Sequence, residues 1–225
     1  MTLYRSMRTR SGRSARLPQP LAKAPVSPSV RGFSLIEMII VVCVSLIAAA
    51  IGFITMRPVL KNARSDTAYQ VTLAQLRNAR NLAVTNRKTY RVVFTAPNRI
   101  TTTRLDAGVP TTVVADVLLP MEVSFLALPG IPTTNATTPD NMGTGARAID
   151  FDINVGGGGS NTIYFWPDGS AKDINGNLNS GIVYTARTAD LLSSRAVTLF
   201  GATARSRGWR LVSTTIANQY QWVQQ

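Results

Sequence analysis

One long apolar run dominates the hydrophobic pattern near the start of the chain. Residues 33–56 read FSLIEMIIVVCVSLIAAAIGFITM, and Glu37 is the only charged residue among these 24. At about 1.5 Å per residue, a helix of this length crosses the ~30 Å hydrocarbon core of a bilayer. The run therefore predicts a transmembrane helix, and the chain beyond it is long enough for one domain.

The following segment, residues 57–88, has the pattern of an amphipathic helix. Its apolar residues are spaced by four, three, three and four positions, which places them on one stripe: Tyr69, Leu73, Leu76, Ala79 and Ala83. Pro58 is expected to bend the helix, which continues beyond it. The segment carries seven bases and one acid, Asp66. This charge indicates either a solvated face or a contact with neighbouring subunits.

Residues 89–225 change to short β-rich runs separated by Pro, Gly, Asn and Asp. The predicted strands are 89–96, 99–105, 112–119, 121–126, 148–153, 162–166, 182–187, 196–200 and 203–212. The pattern as a whole predicts an α+β protein. Its long N-terminal helix, one half transmembrane and one half amphipathic, packs on an antiparallel β-sheet sandwich.

The charge is concentrated at the N-terminus. The chain has 24 Lys and Arg against 11 Asp and Glu, and residues 1–32 hold seven bases and no acid. Such a segment is either a basic tail for anionic lipid or nucleic acid, or a leader that its charge keeps in the cytoplasm. Its position directly before the apolar run favours the leader, with the C-terminal domain on the outer side of the membrane.

Glu37 decides between several interpretations of the apolar run. A plain membrane anchor, or a signal peptide cut near residues 48–50, leaves this carboxylate without a role. An unpaired carboxylate inside a membrane costs on the order of 3 kcal/mol. A cut between Gly32 and Phe33 would place a new ammonium group at a similar depth, where it can pair with Glu37 of a neighbouring chain.

The residues around this junction resemble a known signal. Arg31-Gly32-Phe33-Ser34-Leu35-Ile36-Glu37 is similar to the type III signal sequence of type IV prepilins and pseudoprepilins. The resemblance implies that prepilin peptidase cleaves after Gly32 and N-methylates Phe33. It also implies that Glu37 supports insertion of the subunit into a filament.

Two further segments resemble one subgroup of that family. Residues 165–169, Phe-Trp-Pro-Asp-Gly, are similar to the Phe-x-x-Asp-Gly turn of the GspH/FimT-like minor pseudopilins, and residues 201–207 are comparable to their C-terminal Gly-x-x-x-Arg-like segment. The resemblance implies a pilin-like fold and a role in a type II secretion system or type IV pilus. The expected location is the inner membrane, with the β domain in the periplasm. The expected partners are prepilin peptidase and other major and minor pseudopilins.

Arginines accumulate near the C-terminus. Between residues 174 and 225 they are opposed by a single acid, Asp190, and they comprise Arg187, Arg195, Arg205, Arg207 and Arg210. With the nearby Trp209, Tyr220 and Trp222 they suit phosphate contact and base stacking. The FimT-like branch implies DNA capture for natural transformation, whereas the alternative is a solvated sheet edge. Gly208 is expected to bend the strand and turn Arg210 toward Arg205 and Arg207.

Catalytic chemistry has little support in this sequence. There is no His and one Cys, so a Ser-His-Asp triad, a His-based zinc site and an intrachain disulfide are excluded. We expect no enzyme activity, no cofactor and no metal. The loop 173–179 has the alternating oxygens of a calcium loop, but its composition favours an Asn/Gly-rich hairpin loop. Asp150 and Asp152 are interpreted as solvent-facing carboxylates on one strand face.

Overall fold

A computed structural model describes residues 32–134, 137–153, 159–216 and 219–225, with backbone only at 54, 55, 57 and 58. The predicted leader, residues 1–32, lies outside the described residues except for Gly32. The chain divides into two compact units, Met1–Ala48 and Ala49–Gln225. The described residues form one long helix and eleven strands in antiparallel sheets, so the fold class is α+β as predicted.

The helix α1 covers Leu35–Asn86. Its first intrahelical bond joins the Met38 amide to the Ser34 carbonyl. It continues through position 58, and it ends before Arg87, whose positive φ of 51° is the left-handed conformation that stops a helix. Within it, Leu35–Phe53 is long and apolar enough to span a membrane, on length and composition alone.

The predicted amphipathic stripe is confirmed by the part of α1 that belongs to the second unit. Tyr69, Leu73, Leu76, Ala79 and Ala83 are all buried, with Ala79 and Ala83 completely so. They share one hydrophobic core with Phe94 and Ile163 of one sheet and Val197 of the other. The 3.6-residue period therefore identifies correctly the side of the helix that packs on the β domain.

The eleven strands agree with most of the predicted runs. They are β1 (Thr89–Thr95), β2 (Arg99–Asp106), β3 (Val109–Leu118), β4 (Val123–Phe125), β5 (Ile149–Asp150), β6 (Thr162–Phe165), β7 (Ala171–Lys172), β8 (Gly181–Arg187), β9 (Asp190–Phe200), β10 (Arg205–Ser213) and β11 (Tyr220–Gln224). The strand predicted over 121–126 is shorter because Glu122 has a φ of 70° and forms a turn. The short strand β7 follows the turn at residues 166–170, where the strand–turn–strand pattern of residues 164–171 predicts a strand, whereas the sequence pattern does not predict β11.

Two antiparallel sheets form the β domain. One has the order β3-β2-β1-β6-β7, and the other has the order β11-β10-β9-β8-β4, with β5 also paired to β8. The first sheet and one face of the second contribute to the core with α1. The opposite face of the second sheet carries its own cluster, which includes Tyr184, Leu211 and Trp222, beneath Ile131 and Met142.

The turn predicted between β6 and β7 is present. The Trp166 amide donates to the Ser170 carbonyl at 3.0 Å, and Gly169 takes the positive φ of 80° that such a turn needs. The carboxylate of Asp168 accepts bonds from Lys172 at 2.7 Å, from the Ser170 hydroxyl at 2.5 Å and from the Ser170 amide at 2.9 Å. These bonds lower the pKa of Asp168 to about 2.

Candidate functional site

The junction singled out by the sequence lies immediately before the helix. Gly32 and Phe33 precede α1, and Phe33 is exposed. A Cβ added at Gly32 would meet no atom within 4 Å, so the fold itself does not require glycine there. Glu37 is exposed in the first turn of α1, where the helix dipole stabilises a negative charge.

The apolar part of α1 is exposed along its length. Every described side chain from Phe33 to Met56 is exposed, which leaves a long apolar surface on a single helix. Exposed apolar area of this extent is stable only in lipid or against other apolar helices. Glu37 is the one charged group in this surface.

Three of the five C-terminal arginines form ion pairs with carboxylates of the folded chain. Arg195 is fully buried, and its Nε donates to Asp66 Oδ1 at 2.8 Å. Arg187 is buried and pairs with Asp190. These two guanidinium groups cannot reach a phosphate on the surface.

The third of these arginines, Arg207, is held on the outer face of the second sheet. Its NH1 donates to Asp140 Oδ1 at 2.5 Å, and its guanidinium lies 5.2 Å from the Phe200 ring. Asp140 also accepts from Thr198 at 2.5 Å. Arg207 therefore fastens the loop that carries Asp140 onto the sheet.

The strand β10 separates the remaining arginines. Its register with β9 is regular from Arg205 to Arg210, so Gly208 does not bend the strand as expected. Alternation along β10 puts Arg205 and Arg207 on one face and Arg210 on the other. Gly208 has a packing role instead, because a Cβ there would lie 2.7 Å from the ring of Tyr69. The predicted cluster of Arg205, Arg207 and Arg210 is thus not a single surface.

A different basic site is formed by α1 and β10 together. A groove of about 760 Å³ lies between the helix segment 69–81 and residues 203–208, and it also involves the end of β11. Its lining includes Arg77, Arg80 and Arg205, together with Arg207, whose guanidinium is already paired with Asp140, and no acid lines it. The sequence indicated only that this part of α1 is basic, because the proximity of residues more than a hundred positions apart depends on the tertiary fold.

The aromatic residues expected beside the arginines lie elsewhere. Trp222 is buried in the cluster on the outer face of the second sheet, and Trp209 and Tyr220 pack against that cluster. None of the three lines the basic groove. The groove therefore offers charge and hydrogen bonds without a surface on which bases can stack.

The two oxygen-rich segments are accounted for by internal hydrogen bonds. In loop 173–179, Asp173 accepts from the Asn177 amide at 2.7 Å and from its side chain at 3.0 Å, as in a hairpin loop. Asp152 accepts from Asn179 at 2.5 Å. Asp150 and Asp152 are half-buried rather than solvent-facing, and burial raises the pKa of Asp150. Among the described residues no group of three or more His, Cys, Asp or Glu side chains is placed to hold a metal ion.

Comparison with known protein families, with curated proteins and with solved structures finds no match for this chain.

Proposed function

We propose that the protein is a minor pseudopilin-like subunit with a pilin-like fold. In this proposal prepilin peptidase cleaves the precursor between Gly32 and Phe33 and methylates Phe33. The subunit then joins other major and minor pseudopilins in, or at the tip of, a filament of a type II secretion system or type IV pilus. The precursor resides in the inner membrane, with its N-terminus in the cytoplasm and its β domain in the periplasm.

The observation that carries this proposal is the position of one acid in one exposed apolar helix. Glu37 lies four residues after Phe33, at the start of a helix whose described side chains are exposed as far as Met56. A lipid anchor gains nothing from a carboxylate at this depth. A subunit interface does gain, because the amino group of a neighbouring Phe33 would neutralise the charge.

The second half of the helix supports the same proposal. From Ser65 to Ala83 the helix buries one stripe against the β domain, while its first half stays exposed. A stem of this kind can bury its first half in the membrane as a precursor and against other stems in a filament. The same apolar surface would thus contact lipid in the precursor and neighbouring stems in the filament.

The replacement Glu37→Val tests the assembly role. Removal of a costly charge cannot weaken insertion, so the variant should fractionate with membranes as the wild type does. Incorporation into filaments, measured by cross-linking, should fall about tenfold or more, because a hydrogen bond to a charged group contributes about 1.5–3 kcal/mol.

Ser45→Val is the matched control. It removes a polar group from the same apolar run, but the Ser45 hydroxyl donates only to the Val41 carbonyl of its own helix, at 2.7 Å. Normal incorporation of both variants would contradict the role of Glu37. Loss of incorporation in both would show that any change in this run impairs assembly.

Capture of DNA for natural transformation stays a prediction, and fewer of the C-terminal arginines support it than the sequence suggests. Arg187, Arg195 and Arg207 already have carboxylate partners, and Trp222 is buried. Of the five arginines, Arg205 is exposed and has no ion pair within the described chain. We therefore propose DNA binding only as the alternative function.

A further inference from the structure

The basic groove carries charge that folding does not neutralise. Arg77 and Arg205 are exposed, and no carboxylate forms an ion pair with either in the described segments, which contain all eleven acids of the chain. The Nε of Arg80 donates to the Gly169 carbonyl at 3.1 Å, and the two terminal nitrogens of its guanidinium take no part in that bond. These exposed guanidinium groups are therefore available to an anionic ligand.

A buried hydroxyl in the same groove also lacks a partner. Ser206 lines the groove, is only 8% exposed, and its Oγ makes no hydrogen bond in the structure. It shares a strand face with Gly208, which packs against Tyr69 of the helix. A buried hydroxyl without a partner costs free energy, and a ligand acceptor in the groove would remove that cost.

The remaining lining favours a polypeptide over a nucleic acid. Gln70, Asn81 and Gln224 supply amides, which both donate and accept, as a peptide backbone requires. A phosphate chain requires donors alone, and the groove lacks the aromatic platform of single-strand binders. Gln224 also ends β11, an edge strand of the second sheet, where an extended segment can add hydrogen bonds.

We propose that this groove binds an extended acidic segment of another protein. Its carboxylates would pair with Arg77 and Arg205, and one would accept from Ser206 Oγ. The identification of that protein as a neighbouring filament subunit rests on the proposed function. The groove itself is defined by residues of the second compact unit and does not depend on it.

Binding is measured by fluorescence anisotropy with the full chain in mild non-ionic detergent at low salt. The probes are a fluorescein-labelled peptide of alternating Glu and Thr, a matched peptide of alternating Lys and Thr, and a labelled DNA duplex. The acidic peptide should bind and the basic peptide should not. The double variant Arg77→Gln/Arg205→Gln should weaken binding of the acidic peptide about tenfold or more, since each arginine supplies a charge-assisted bond.

Two further variants test whether peptide binding depends on the groove itself or only on the net positive charge of the protein. Arg87→Gln/Arg147→Gln removes the same charge from exposed positions outside the groove and should change affinity less than about twofold. Ser206→Ala removes a hydroxyl that has no partner in the protein. Thermal stability should stay the same or rise, because an unpaired buried hydroxyl is removed, while peptide binding should weaken about threefold to tenfold.

Three results would overturn the proposal: no binding of the acidic peptide, equal losses in both double variants, or tighter binding of the duplex with loss in Arg77→Gln/Arg205→Gln. The last result would identify a nucleic-acid site. A chain that binds the acidic peptide but stays unprocessed at Phe33 in cells that possess prepilin peptidase would keep the groove proposal and contradict the filament function, so the two failures are distinguishable.

Discussion

The ion pair between Asp66 and Arg195 joins the helix to the second sheet across 129 residues of sequence. Arg195 is completely buried, whereas the side chain of Asp66 is 42% exposed. The guanidinium Nε donates to Asp66 Oδ1 at 2.8 Å, and NH1 donates to the carbonyls of Leu192 and Ser194 at 3.0 and 3.1 Å. Burial lowers the pKa of Arg195, and the carboxylate of Asp66 opposes that change.

The two partners differ in burial. Removal of Asp66 should therefore cost more stability than removal of Arg195. Asp66→Ala leaves a buried cation with only two carbonyl partners. Loss of one partner of a fully buried pair costs about 3–5 kcal/mol, and the partial exposure of Asp66 reduces this to about 2–3 kcal/mol. Arg195→Met leaves a carboxylate that water can solvate, so it should cost about 1 kcal/mol.

The double variant Asp66→Ala/Arg195→Met should be more stable than Asp66→Ala alone, because it removes the stranded charge. Urea unfolding followed by tryptophan fluorescence measures these values. All three tryptophans lie within residues 89–225, so the signal reports on the β domain. Additive costs of the two single variants, or a cost below about 0.5 kcal/mol for Asp66→Ala, would refute this account of the pair.

Three other outcomes are expected. In the same urea assay, Gly201→Ala should destabilise the β domain by about 1–3 kcal/mol, because the added Cβ would lie 2.7 Å from the backbone nitrogen of Asn179. Gly52→Ala is the control, because a Cβ added at Gly52 would meet no atom within 4 Å. Asp168→Asn should lower stability near neutral pH. Because the folded pKa of Asp168 is about 2, below its unfolded value, the difference from wild type should shrink as pH falls from about 5 to about 2, and a constant difference in a pH series of thermal melts would contradict this. If duplex DNA binds, Arg205→Ala should reduce the salt slope of its affinity by about one unit, while Arg207→Ala, already paired with Asp140, should change it little; equal reductions would show that Arg207 also contacts phosphate.

The sequence predicts the helix and most strands because these depend on local period and composition. The stripe from Tyr69 to Ala83 is buried as its spacing requires, and the runs that became β1 and β2 differ from prediction by a single residue at one end. The strand β11, Tyr220–Gln224, was missed because its QYQWVQQ surroundings are largely polar and lack a clear alternation.

The basic site was predicted less well because charge in a sequence does not indicate which charges pair. Arg195 and Arg207 look like free surface arginines until the fold brings Asp66 and Asp140 to them. The sequence indicates a bend at Gly208, whereas in the structure glycine is needed there because the ring of Tyr69 approaches the strand closely. Contacts between residues this far apart arise from packing, which local pattern does not encode.

The central claim is that the mature protein begins at Phe33. Mass spectrometry of the N-terminal peptide, from protein extracted from the membranes of cells that possess prepilin peptidase, tests this most directly. We expect a peptide that starts at Phe33 and carries one methyl group on its amino terminus. A peptide that starts near Ala50 would indicate an ordinary signal peptidase, and an intact Met1 would indicate an unprocessed anchor; either result would contradict the filament function.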